Sequence, residues 1–254
     1  MAATTAPASQ PSSQQPPPPT AETVLSQASR DPSAAAAHLP ELPPDALVDI
    51  LSTLSAASPA GHLALLPAIL ALSPSPSAAS AALSSLLSAP TWPSATLLAV
   101  ASLLRDLPPA YRNRVPAFLG KILSLLLGAD AQDLPAIAYQ LLLLASKPLH
   151  PRAVLAGLLR FFGGRRGARV RAPPSIARQV EGTVLLNFAF VVKQDPVLAR
   201  EVLAAVKADA AGALSGFAVA VLLSVARVRR FNEGAVGVLR DAAAVSRRDY
   251  RMSR

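Results

Sequence analysis

Asp133-Leu134-Pro135-Ala136-Ile137-Ala138-Tyr139-Gln140-Leu141-Leu142-Leu143-Leu144-Ala145-Ser146 is the stretch that decides the fold. An acid stands before it as a candidate N-cap. Pro135 falls in the first turn, where its missing N–H has no partner to lose. Leu and Ala, both helix formers, then carry it to Ser146. Outward in both directions, apolar residues recur at helical spacing, punctuated by proline and small polar residues. The spacing predicts helices near 21–29, 45–55, 62–72, 77–88, 93–105, 110–127, 134–146, 151–162, 175–193, 196–208, 215–228 and 233–246. Asp195 before Pro196 and Ser215 repeat the capping device. Sustained two-residue alternation and Asn-Gly or Asp-Gly turns are both missing, so strands are not expected.

One helix about every 19 residues gives hairpins of about 38, the length regime of HEAT-type α-solenoids. The expected fold is all-α: a HEAT-like, right-handedly wound α-solenoid of antiparallel helical hairpins. A weak internal echo accompanies it. Glu41-Leu-Pro-Pro, Asp106-Leu-Pro-Pro and Asp133-Leu-Pro each put an acid and Leu-Pro before an apolar segment. Residues 1–20 hold six prolines among Ser, Gln, Thr and Ala, and read as a disordered tail, not a signal peptide. Residues 21–130 form the first part of the solenoid and 131–254 a basic second part.

Composition removes several function classes. Apolar residues make up 52% of the 254, enough for a substantial core. Cysteine is absent, which excludes disulfides, thiol chemistry and Cys-ligated metals. His38, His62 and His150 are scattered, with no pair at metal-ligand spacing. Aromatics at 4% are too few for a base-stacking platform. The longest apolar runs fall short of the roughly 18–20 residues a membrane span needs. No phosphate-binding Gly-Lys-Ser/Thr loop or Gly-x-Ser-x-Gly elbow is present, and the sparse carboxylates sit mostly at helix starts, so no catalytic residue, cofactor or small-molecule substrate is expected.

Charge is uneven. Residues 1–100 hold one basic residue, Arg30, against five acids, a net of −4; residues 101–254 hold 23 basic residues against ten acids, a net of +13. The concentration peaks in Gly163-Gly-Arg-Arg-Gly-Ala-Arg-Val-Arg-Ala-Pro-Pro174, the longest expected gap between helices. Arg165, Arg166, Arg169 and Arg171 are therefore the candidate DNA-binding residues: flexible guanidiniums with no nearby acid can neutralise phosphates without reading bases. A solvated insertion is the plain alternative. Arg227-Val-Arg229-Arg230 closes a helix, where the dipole already favours positive charge. Arg178 and Glu181 read as surface charges; Tyr139 and Phe161-Phe162 read as core.

Five blocks then occur in order. They are Gln132–Lys147; Val154-Leu-Ala-Gly157-Leu-Leu-Arg-Phe161-Phe162; Gln179-Val-Glu181-Gly182-Thr183; Leu198-Ala-Arg200-Glu201-Val-Leu; and Leu214 through Phe231. Together they resemble the N-terminal helical region of the Fanconi anaemia group I family. The resemblance implies a long, non-enzymatic, nuclear scaffold of interstrand-crosslink repair. Such a scaffold pairs with a paralogous Fanconi subunit as a heterodimer and clamps double-stranded or branched DNA. No residue here matches the family's ubiquitin acceptor or its phosphorylated cluster. The chain reads as a plant-like and truncated version. The competing reading is a generic HEAT-like adaptor for an acidic protein. A membrane-surface role is disfavoured, because the basic residues lie in a loop and not opposite an apolar helix face.

Overall fold

A computed structural model describes residues 19–72, 75–147, 149–163, 172–209 and 214–252. Residues 1–18 of the expected tail lie outside them. Within them stand fourteen α-helices, short 3-10 turns and no strand. The helices are α1 (Ala21–Ala28), α2 (Pro32–Ala37), α3 (Pro44–Thr53), α4 (Ala60–Ala64), α5 (Leu66–Ala71), α6 (Pro76–Ser88) and α7 (Ser94–Leu103). They continue as α8 (Val115–Leu125), α9 (Leu134–Ser146), α10 (Pro151–Gly163), α11 (Pro174–Gln194), α12 (Pro196–Asp209), α13 (Gly216–Ala226) and α14 (Asn232–Met252).

Two layers result. α4, α7, α9, α11 and α13 stack side by side in the first, and α3, α6, α8, α10, α12 and α14 in the second. Each helix buries one stripe between the layers, as a solenoid requires. In α10 the stripe is Val154, Leu155, Leu158, Leu159, Phe161 and Phe162. Phe162 stacks on Phe217 with ring centroids 5.1 Å apart, and Phe188 meets Phe217 edge-on at 5.8 Å, tying α10, α11 and α13 together. Phe161 and Phe162 are thus core, as expected, and Tyr139 packs half-buried against it.

Polar bonds between successive hairpins report the repeat length. The Thr96 hydroxyl donates to the Ala56 carbonyl at a separation of 40 residues, and the Asp130 N–H donates to Ser94 Oγ at 36. Arg114 donates to Ser80 Oγ at a separation of 34. Lys121 bolts two hairpins at the end of α6: its ammonium donates to the carbonyls of Leu87 and Ala89 and lies 4.8 Å from the Trp92 ring centroid. Burial lowers its pKa below the ordinary lysine range, although both carbonyls favour the charged form.

Local differences from the sequence reading have steric causes. The helix expected over 62–72 is two, α4 and α5, because Pro67 offers no N–H and its ring opposes continuation. Pro116 likewise splits the helix expected over 110–127 into a 3-10 turn, Pro109–Arg114, and α8. α2 has six residues, too few for a periodicity; the Asp31 carboxylate accepts from the Ser33 and Ala34 N–H groups and starts it. Asp133 does not cap α9 with its side chain. Its own backbone is already helical (φ −91°, ψ −20°), so the carboxylate cannot fold back. Asp195 does cap α12, accepting from Val197 N–H at 2.9 Å, and Ser215 caps α13, accepting from Ala218 N–H at 3.1 Å.

Candidate nucleic-acid interface

Arg165, Arg166, Arg169 and Arg171 lie outside the described residues, but the structure fixes both ends of the segment that carries them. α10 runs to Gly163, and α11 starts at Pro174 after Pro173 in extended conformation. A Cβ on Gly163 would lie 2.7 Å from Ser215 Oγ. The end of α10 is therefore seated against the N-cap of α13, and a side chain at Gly163 would displace the Ser215 hydroxyl from its capping position. The arginine segment leaves and re-enters at one edge of the solenoid, where α10 ends and α11 and α13 begin.

Two described cations flank that base. Arg160 is exposed in the last turn of α10 and Arg178 is exposed near the start of α11; neither forms an ion pair among the described residues. Arg160 stands on a ridge between two shallow clefts. One, of about 490 Å³, runs between α10 and α12 over Ala156, Ala204, Ala205 and Ala208. The other, of about 400 Å³, runs between α8 and α10 over Gly120, Leu123 and Gly157. Arg152, two turns earlier on α10, is engaged with Glu201 at 3.4 Å.

A second basic row emerges that the sequence reading missed. Parallel stacking sets the C-terminal ends of α7, α9, α11 and α13 along the opposite edge, and Arg105, Lys147, Lys193 and Arg227 stand at those ends. Asp106 is shared by Arg105 and Lys147, each at 3.5 Å. Lys193 and Arg227 are exposed and make no ion pair among the described residues. The signal was available as one cation at the end of every second helix. Each lies near the end of its helix, where positive charge is favoured, which hid the pattern. Arg227 thus sits apart from the arginine segment, on the other edge.

No group of three or more His, Asp or Glu stands together among the described residues. His62 Nε2 lies 3.0 Å from Ser29 Oγ, and His38 lies beside Glu41. No helix among the described residues is long and apolar enough to cross a membrane.

Comparison with known proteins finds two family profiles in succession along the chain. A family profile described as FANCI solenoid 1 matches residues 80–193, and one described as FANCI helical domain 1 matches residues 197–254. The junction between them falls where α11 gives way to α12. The first match also reaches upstream of residue 131, where the blocks quoted above begin. A Fanconi anemia group I protein homolog of Mus musculus is 33% identical over 162 residues, which is 58% of this chain and 12% of that protein. The Fanconi anemia group I protein of Gallus gallus is 29% identical over 170 residues, 60% of this chain and 13% of that protein. The matched region spans about an eighth of the length of these relatives.

Proposed function

The chain belongs to the Fanconi anaemia group I family, and on that premise we propose that it is part of a non-enzymatic nuclear scaffold of interstrand-crosslink DNA repair. In this reading it pairs with its paralogous Fanconi subunit as a heterodimer, and the pair clamps double-stranded or branched DNA. No cofactor or small-molecule substrate enters. The observation that carries the reading is the run of two family matches, in order, across residues 80–254 of a two-layer helical array.

For the DNA contact we propose Arg165, Arg166, Arg169 and Arg171, with Arg160 and Arg178 at the base. Guanidiniums bind phosphate oxygens bidentately and release condensed counterions, so affinity comes without base reading. The two ends of the segment, Gly163 and Pro174, belong to α10 and α11.

The test is a salt titration of duplex and branched DNA binding by the 254-residue chain, alone and with the paralogous subunit. Each phosphate contact adds close to one unit of slope in log affinity against log salt. Replacing all four arginines by alanine should reduce the slope by about 3.6 units if each contacts a phosphate, while the circular dichroism stays helical. An unchanged slope sinks the assignment of these four residues. Binding to the paralogous subunit with none to DNA favours the adaptor reading.

A further inference from the structure

We propose that the cleft between α10 and α12 is a docking groove for an acidic amphipathic helix of a partner protein, one that carries carboxylates two turns apart with a leucine midway. The cleft, of about 490 Å³, is lined by Arg152, Ala156 and Arg160 of α10 and by Ala204, Ala205 and Ala208 of α12. Its lining thus holds two guanidiniums, four methyl groups and no carboxylate. Arg152, Ala156 and Arg160 fall at i, i+4 and i+8 of one helix, so they share a face, with the arginine Cα atoms about 12 Å apart. An apolar groove with positive charge towards either end matches an apolar body with negative charge towards either end.

α12 repeats the device. Arg200, Ala204 and Lys207 follow at i, i+4 and i+7, and all three are exposed. Arg200 and Lys207 do not line the cleft, but they bracket an alanine that does, and neither forms an ion pair among the described residues. Arg152 meets Glu201 in the first half of each helix, and Arg160 shares the cleft with Ala208 in the second half, so the two rows run in parallel. Glu201 does not close the groove. It accepts from Arg152 Nε at 3.4 Å, and the guanidinium has four further N–H groups. The contact tethers that arginine beside the cleft and leaves donors for a second carboxylate.

The periodicity selects the occupant. A helix lying along the groove repeats the spacing of α10, so acids at i and i+8 face the two arginines and a leucine at i+4 lies over Ala156 and the alanines opposite. Alanine side chains are short enough to let a third helix settle between two others. A nucleic-acid backbone would meet the arginines but has no apolar group for the four methyls, so the lining favours protein over DNA. Arg160 also stands at the base of the DNA contact proposed above; the docking groove goes beyond that reading and is tested without DNA.

The probe is an acetylated, amidated helical peptide of alanine and glutamine with Glu, Leu and Glu at i, i+4 and i+8 and a tetramethylrhodamine label. It is titrated into the 254-residue chain and followed by fluorescence anisotropy. Saturable binding is expected. Arg152→Ala and Arg160→Ala, both at exposed positions, should each weaken it about tenfold. Ala204→Phe, also at an exposed position, should fill the cleft and abolish it. A peptide with its second glutamate moved to i+6, on another face, keeps its net charge and should bind about tenfold more weakly, as should one with glutamine for the leucine. Unchanged affinity of either altered peptide reduces the attraction to net charge and overturns the proposal. So does failure of the parent peptide to bind, equal binding by Ala204→Phe, or unchanged binding by both arginine variants. Duplex DNA binding that Ala204→Phe abolishes, with no peptide binding, makes the cleft a nucleic-acid element and also overturns it. The salt slope of the four-arginine variant judges the DNA reading separately, so failure of the peptide leaves that reading intact.

Discussion

Gly61 tests the packing of the first hairpins, because two known effects oppose each other there. It lies inside α4 with ordinary helical backbone, so alanine should gain about 0.5–1 kcal/mol of helix propensity. The structure opposes this. A Cβ at Gly61 would stand 2.1 Å from the Ala28 carbonyl oxygen, 2.9 Å from its carbon and 3.3 Å from Ser29 Cα. All three are backbone atoms at the end of α1, which cannot swing aside as a side chain would. That end must move by about 1 Å to restore van der Waals distance. Overpacking of this kind costs about 1–3 kcal/mol. The shift also threatens the neighbouring bond between Ser29 Oγ and His62 Nε2, 3.0 Å long, worth about 1 kcal/mol. The sum predicts that Gly61→Ala destabilises by about 2 kcal/mol, a fall of about 5 °C in Tm for a chain of this size. Gly120→Ala is the control. It lies inside α8 with nothing within 4 Å of its Cβ, so propensity acts alone and Tm should rise by about 2 °C. Thermal and urea denaturation of the parent and both variants decide the matter. If Gly61→Ala matches or exceeds the parent while Gly120→Ala rises, the close approach of α4 to α1 is wrong.

Lys121→Met should cost about 2 kcal/mol, since it removes a charged donor from two carbonyls and a cation from the Trp92 ring; urea denaturation read at the Trp92 fluorescence measures it. Gln140→Leu should raise stability by about 1 kcal/mol, because it removes a buried acceptor that has no partner; a loss in a calorimetric scan would mean that the oxygen is satisfied. Arg152→Ala should change stability by less than about 0.5 kcal/mol, because the pair with Glu201 leaves the arginine side chain 84% exposed; a double-mutant cycle with Glu201→Ala would reveal anything larger.

What the sequence determined by itself is what local chemistry dictates. Leu and Ala at helical spacing, broken by proline at short intervals, fix helices and their approximate ends, since propensity and proline sterics act within a few residues. The caps at Asp195 and Ser215 were legible for the same reason, and so was the hairpin length, later matched by bonds at separations of 34–40 residues. The concentration of arginine around 165–171 was legible from composition alone.

Tertiary structure decided what depends on distant residues meeting. Gly61 and Gly163 look like ordinary glycines until α1 and the N-cap of α13 arrive against them. Arg105, Lys147, Lys193 and Arg227 are scattered in sequence and form a row only because every second helix runs the same way. Gln140 reads as one polar residue among leucines; only α4 and α7 beside α9 enclose its amide in a cleft and leave its oxygen without a partner. Helices are made by neighbours in the chain, whereas clefts and charged edges are made by neighbours in space, set by the packing of one hairpin on the next.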